Sequence, residues 1–236
     1  MKESFTYIRE RAERAGRHHP FLQWLGDENV PARDRLRRWL PHIAAQIMGF
    51  KDLDEAFFAY PDAEARLDPR KRAVNHYVEE GVLDWARYIR DLTALDVDPV
   101  MPFTDILPFL WRPETNDSRR FFYRLCELAD EHQDPALRIC VVLPFSEFKH
   151  VLFGKTAAVA RSFTKESGVE LEFVSRLHDY EDMSSVFESE SELDDATRKK
   201  GRAVAEYVCD QIEASWMGNL RFVQKGNPWS SSASRT

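Results

Sequence analysis

Three stretches of this chain set ionisable side chains beside apolar ones, and their types are those that hold metals or move protons. In the first, His76, Glu80 and Asp84 stand four residues apart and Tyr77 lies three before Glu80, so all can project from one broad side of a helix. In the second, Glu147, Lys149 and His150 interrupt an otherwise apolar run from Leu137 to Phe163. Glu147 and His150 are three apart and share a face, the arrangement of a Glu-x-x-His pair in helical-bundle metal sites. In the third, His178 and Asp182 form an i, i+4 pair. Carboxylates and imidazoles converging from facing helices suit iron or manganese, and the lack of cysteine ligands argues against structural zinc. Such a centre would bind dioxygen while an apolar interior holds an organic substrate. Each set also has an ordinary reading, as solvated charges, local ion pairs or an internal polar contact beside Pro144.

Other chemistries find little support. There is no Gly-x-Ser-x-Gly elbow, no phosphate-binding Gly-rich loop before Lys-Ser/Thr, and no Gly-x-Gly-x-x-Gly after a strand. The three cysteines (Cys126, Cys140, Cys209) are far apart, so a reduced, cytoplasmic protein is expected. The net charge is −7 with basic residues interleaved among acids, which argues against nucleic acid as a main partner. No apolar run approaches the ~18 residues of a membrane span, so no membrane association is expected.

The elements that would position these groups read as helices. With 43% hydrophobic residues and only nine glycines, the chain can bury a large core and leans helical. Helices are expected over residues 3–15 and from Pro31, with an apolar stripe of Leu36, Trp39, Leu40, Ile43, Ile47 and Phe50. Lys51–Tyr60 continues as a helical piece, and a long helix follows over about Pro69–Leu95. Pro102–Leu110 reads as a short helix interrupted at Pro108, and Asp117 as the N-cap of a helix to about Ala129. Leu137–Phe163 should be buried and kinked at Pro144. Val169–Asp182 reads as an amphipathic helix, and a last helix over about Leu193–Phe222 turns Val204, Val208, Ile212, Trp216 and Leu220 inward. The expectation is one all-α domain over residues 1–223, with 224–236 a disordered tail.

This pattern resembles the heme-oxygenase-like di-iron oxidases and oxygenases, whose fold the TenA thiaminases share. The resemblance spans roughly residues 18–222. It rests on His19-Pro20-Phe21-Leu22, on Gly49-Phe50-Lys51-Asp52-Leu53, on the segment from His76 to Asp96 with its Trp85 and Asp91-Leu92-x-x-Leu95, and on Leu143-Pro144. It implies a bundle of about seven main helices around a central cavity, as a homodimer. It also implies one or two Fe(II) ions with dioxygen as co-substrate. Anchored on Trp85, the family's first Glu/His ligand pair falls on Tyr77 and Asp84, the second helix's Glu on Pro144 or Glu147, and the third motif on His178, Asp182 and Ser185.

The reading that follows is a non-heme iron oxidase or oxygenase acting on a small amino-acid-like or carboxylate substrate, with a place in natural-product biosynthesis. Asp84, Glu147, His150, His178 and Asp182 would hold the metal, and Tyr77, Glu80 and Lys149 would serve the chemistry. Lys149, Arg87 or Arg120 could receive a substrate carboxylate. Two alternatives stand beside it. One is a metal-independent enzyme using Tyr77, Glu80 and Glu147 as acids and bases; the other is a non-catalytic partner subunit.

Overall fold

The computed structural model describes residues 2–53, 57–62, 65, 67–81, 84–97, 103–111, 113–175 and 194–225. Its α-helices are α1 (Lys2–His18), α2 (Pro20–Leu25), α3 (Ala32–Trp39), α4 (Ala44–Leu53), α5 (Pro69–Gly81), α6 (Asp84–Ala94), α7 (Phe103–Trp111), α8 (Asn116–Glu131), α9 (Pro135–Ser167) and α10 (Asp195–Gln224). The expected all-α class is observed, with no strand among the described residues. There are more helices than the seven or so expected. The stripe that begins at Pro31 is divided into α3, a 3₁₀ turn over Leu40–Ile43 and α4. Pro41 lies in that turn and has no N–H to give an α-helical ladder. The stretch expected as one helix from Pro69 to Leu95 is described as α5 and α6, with residues 82 and 83 outside the described ones.

α9 lies at the centre. Every side chain from Ala136 to Phe145 is buried, as befits a helix apolar on all sides. It packs against α10, α1 and α5, and also against α2, α3 and α8. Its start is set by Asp134, whose carboxylate accepts the Ala136 N–H at 2.7 Å, with Pro135 in the first turn. It ends at Gly168, where φ of 73° is the left-handed conformation that glycine adopts without a Cβ clash. Pro144 sits inside α9 and Pro108 inside α7 without ending either helix, so the interruption expected at Pro108 is not seen. α8 begins two residues earlier than expected, after Thr115 rather than Asp117.

Arg138 ties this centre to its neighbours. Its buried guanidinium donates to the carbonyls of Ala129 (2.9 Å), His132 (3.3 Å) and Phe58 (3.3 Å) and to Gln133 Oε1 (2.6 Å), and it stacks over the Tyr60 ring. Five donors in a rigid fork suit arginine to that task.

α10 starts at Asp194, whose carboxylate accepts the Thr197 N–H at 2.7 Å. Val204, Val208, Ile212, Trp216 and Leu220 are buried along it, as expected. The helix expected over Val169–Asp182 is not formed where the chain is described. Residues 169–175 are turn and irregular structure, and 176–182 lie outside the described residues, as do the acidic stretch before α10 and residues 226–236 of the expected tail. No described helix is long and apolar enough to cross a membrane.

Candidate functional site

α9 turns one face to a hollow in the bundle. Phe145, Phe148, Lys149, Leu152 and Phe153 recur at three- and four-residue steps and line a cavity of about 130 Å³. Facing walls come from Trp39 at the end of α3, Phe50 of α4, Tyr77 of α5, Trp85 of α6 and Trp216 of α10. The aromatic rings brace one another. Phe50 meets Phe145 edge-on at 5.4 Å, and Phe148 tilts against Trp216 at the same distance. Such pairs fix ring orientation as well as burying area.

One wall of this apolar hollow is charged. Lys149 Nζ lies 3.2 Å from Asp84 Oδ2 and 5.6 Å from the centre of the Tyr77 ring. Arg87 stands 3.9 Å from the other oxygen of Asp84. Asp84 is only 8% exposed, so this carboxylate sits largely out of water between two cations. A buried ion pair adds little net stability, yet removing one partner strands the other, which marks such pairs as specific features. Lys51 also lines the cavity, and Asp84 is the only acid among the described lining residues. Among the described lining residues, cations therefore outnumber acids, within a chain of net charge −7.

Other lining residues are neutral and polar. Gln46 donates its amide N–H to Ser215 Oγ at 2.6 Å, and Trp39 and Asn219 lie nearby along the same cavity. Phe173 closes a further part of the wall. It is held by Asp91, whose two carboxylate oxygens accept the N–H groups of Glu172, Phe173 and Val174 at 2.6, 3.0 and 3.0 Å. Burial raises the Asp91 carboxyl pKa, and the three N–H donors pull it the other way. Thr156, fully buried on α9, donates to the Val174 carbonyl at 2.9 Å and pins the same segment from the other side. Tyr88 bonds the Leu40 carbonyl at 2.8 Å and sets α6 against the 3₁₀ turn; burial pushes its hydroxyl well above the usual tyrosine range.

The residues singled out by sequence divide clearly. Tyr77, Asp84 and Lys149 meet at the cavity wall. Glu147 is buried but does not line the cavity, and His150 is exposed, because the Phe145–Lys149–Leu152 face of α9 points inward and the Glu147–His150 face does not. The side chain of Glu80, and all of His178, Asp182 and Ser185, lie outside the described residues. Among the described residues no three His, Cys, Asp or Glu side chains gather as a metal site. Asp84 itself lies against the Lys149 ammonium. Trp39, Gln46, Ser215 and Asn219 were not among the expected site residues. The signal for the last two was present: Ser215 and Asn219 flank Trp216 on the inward stripe of the last helix, four residues apart.

No protein-family model matches this chain, and no curated protein matches it.

Proposed function

We propose that this protein binds a ring-sized organic molecule bearing one anionic group, with its body among the cavity aromatics and its charge at Lys149. Support comes from the Lys149–Asp84 pair in the wall of a largely apolar, aromatic-rich hollow, where cations outnumber acids among the described lining residues. A cavity of about 130 Å³ matches a single substituted ring, since an engineered apolar cavity of roughly 150 Å³ binds benzene. A ligand carboxylate reaching Lys149 competes with Asp84 for the ammonium. Asp84 then loses part of what stabilises its charge and becomes a better proton acceptor beside the bound ring. The pair thus suits an enzyme that binds a carboxylic acid and moves a proton on it. The helical arrangement proposed is that of the heme-oxygenase-like bundle, supported by a hollow lined by one face of the helix that carries Pro144.

Benzoate and toluene test this reading, because they differ in the carboxylate and little in size. By calorimetric titration benzoate should bind at least about tenfold more tightly than toluene, the scale of one good charged hydrogen bond. Lys149→Met should abolish that preference and keep toluene binding, while Lys149→Arg should keep part of it. Equal affinities in the unaltered protein would sink the proposal.

A second reading keeps the iron-dependent oxygenase that the resemblance implies. In its favour, Asp84 lines the cavity at a position where the resemblance expects a ligand. It requires His178 and Asp182 to reach Asp84. Anaerobic titration with Fe(II) decides it: one or two equivalents bound tightly, and lost in Asp182→Ala, would favour iron.

A further inference from the structure

We infer that anionic ligands enter the aromatic cavity between α4, α6 and α9, and that Lys51 on the rim of this mouth draws them in. This rests on the proposed use of the cavity for an anionic ligand and gives its two lysines different tasks. Lys51 governs arrival and Lys149 retention. Exposure along the lining locates the mouth. Lys51 of α4 is the one exposed residue among the described lining. The half-buried ones are Gln46, Ile47 and Phe50 of α4, Trp85 of α6, and Lys149 and Leu152 of α9. Every described lining residue from α3, α5, α8 and α10 is buried. The three helices of the mouth are joined to one another. α4 packs on α6, the Phe50 and Phe145 rings join α4 to α9, and the Asp84–Lys149 pair joins α6 to α9.

A groove between α8 and α10 also reaches the cavity wall, and there it stops. Its rim carries Asp117, Arg120, Ala214 and Arg221, all exposed. Phe121 and Ser215, 6% and 7% exposed, line both the groove and the cavity, so they form the wall between the two. Both are held in place: the Phe121 ring tilts against Phe145 at 5.6 Å, and Ser215 accepts from Gln46 at 2.6 Å. Arg120 therefore lies outside the cavity. Lys51 differs from Lys149 in its commitments as well as its exposure. Among the described residues it has no ion-pair partner, whereas Lys149 lies 3.2 Å from Asp84 Oδ2. A lysine that touches the rim keeps its ammonium within one side-chain length of it, inside the Debye length of about 10 Å at 0.1 M salt. A cation at a mouth with apolar walls focuses its field there and raises the encounter rate of anions. Being solvated, it adds little to the hold on a ligand already seated.

Fluorine NMR relaxation dispersion on the full chain, with 4-fluorobenzoate and 4-fluorotoluene as probes, gives association and dissociation rates even for weak, fast binding. At an ionic strength of roughly 10 mM, Lys51→Gln should slow association of the benzoate about threefold, and Lys51→Glu about tenfold. Neither should speed its dissociation, and neither should alter the rates of the toluene, which also reports an intact cavity. Lys149→Met, in contrast, should speed dissociation of the benzoate. At roughly 1 M salt, where the Debye length falls to about 3 Å, the effect of Lys51 on association should vanish. Ala214→Phe, which crowds the α8–α10 groove from its exposed rim, should leave both rates of both probes unchanged; Gln211→Phe repeats the test if that variant does not fold. An unchanged benzoate association rate in Lys51→Glu would overturn the inference. So would faster benzoate dissociation in Lys51→Gln at an unchanged association rate, because Lys51 would then grip the seated carboxylate. Slowing of both probes by Ala214→Phe would place the entrance past Phe121 and Ser215 and overturn it too. Equal affinities of the two probes in the unaltered protein would defeat the reading of Lys149, while the association rates would still judge Lys51.

Discussion

His19 is committed at both ring nitrogens. Nδ1 accepts the Phe21 N–H at 3.2 Å and so carries no proton, which leaves Nε2–H to donate to the Glu213 carbonyl at 3.2 Å. The ring thereby caps α2 and joins it to α10, with Trp216 edge-on at 5.3 Å. Burial lowers the His19 pKa below its usual 6.5, and the nearby Glu213 opposes this only in part. A proton on Nδ1 would break the cap. Because the folded-state pKa is depressed, the stability contribution is present above about 6.5 and is lost as pH falls through the lowered value. Asn caps helices without titrating. His19→Asn should therefore lose some stability at every pH, through the missing ring contact, yet show a smaller drop between pH 8 and pH 5 in urea denaturation. An identical pH profile in the two proteins would show that His19 is not the titrating group. At the charged cavity wall, the residue types were legible in sequence but their aim was not. Lys149 and His150 are neighbours, and one residue step turns a helix by about 100°. Only packing decides that the lysine enters the cavity and the histidine does not.

The segment after α9 shows where periodicity misleads. Leu171, Phe173 and Val174 are apolar and buried, and with the surrounding acids they imitate an amphipathic helix. Instead Gly168 turns the backbone left-handed, and Asp91, 81 to 83 positions away, gathers three successive N–H groups. That Asp91 has a stretch of bare backbone as its partner was not readable, because backbone leaves no trace in side-chain pattern. Helix ends were more legible where a local signal sets them, as Asp134 with Pro135 does for α9. Asp91→Ala should cost about 3 kcal/mol in urea denaturation, the scale for losing hydrogen bonds to a buried charged acceptor. Asp91→Asn should fall between, since an amide oxygen accepts fewer bonds and without charge. Amide exchange at residues 172–174 should accelerate in both. A loss below about 1 kcal/mol in the alanine variant would mean that Thr156 and the Phe173 ring contacts, rather than Asp91, hold this wall.

Across the bundle, the all-α class followed from composition and helical period, whereas the cavity depends on how several helices fail to meet. Trp39, Tyr77, Phe148 and Trp216 come from four helices, and no spacing within one helix says that their rings leave a hollow between them. A protein that needed only to fold would close this space, since interiors are otherwise packed as densely as organic crystals. Ile212 is 5% exposed and lines the cavity from α10 with an apolar side chain. Ile212→Phe should extend a ring into the hollow. If the space is kept open for a ligand, filling it should raise the melting temperature, by about 2–4 °C for each kcal/mol gained in a chain of this size. The same variant should weaken benzoate at least about tenfold, because its ring needs the volume. Those two effects in opposite directions are the signature of a functional cavity. A lower melting temperature with unchanged ligand affinity would place binding elsewhere and reduce the hollow to imperfect packing.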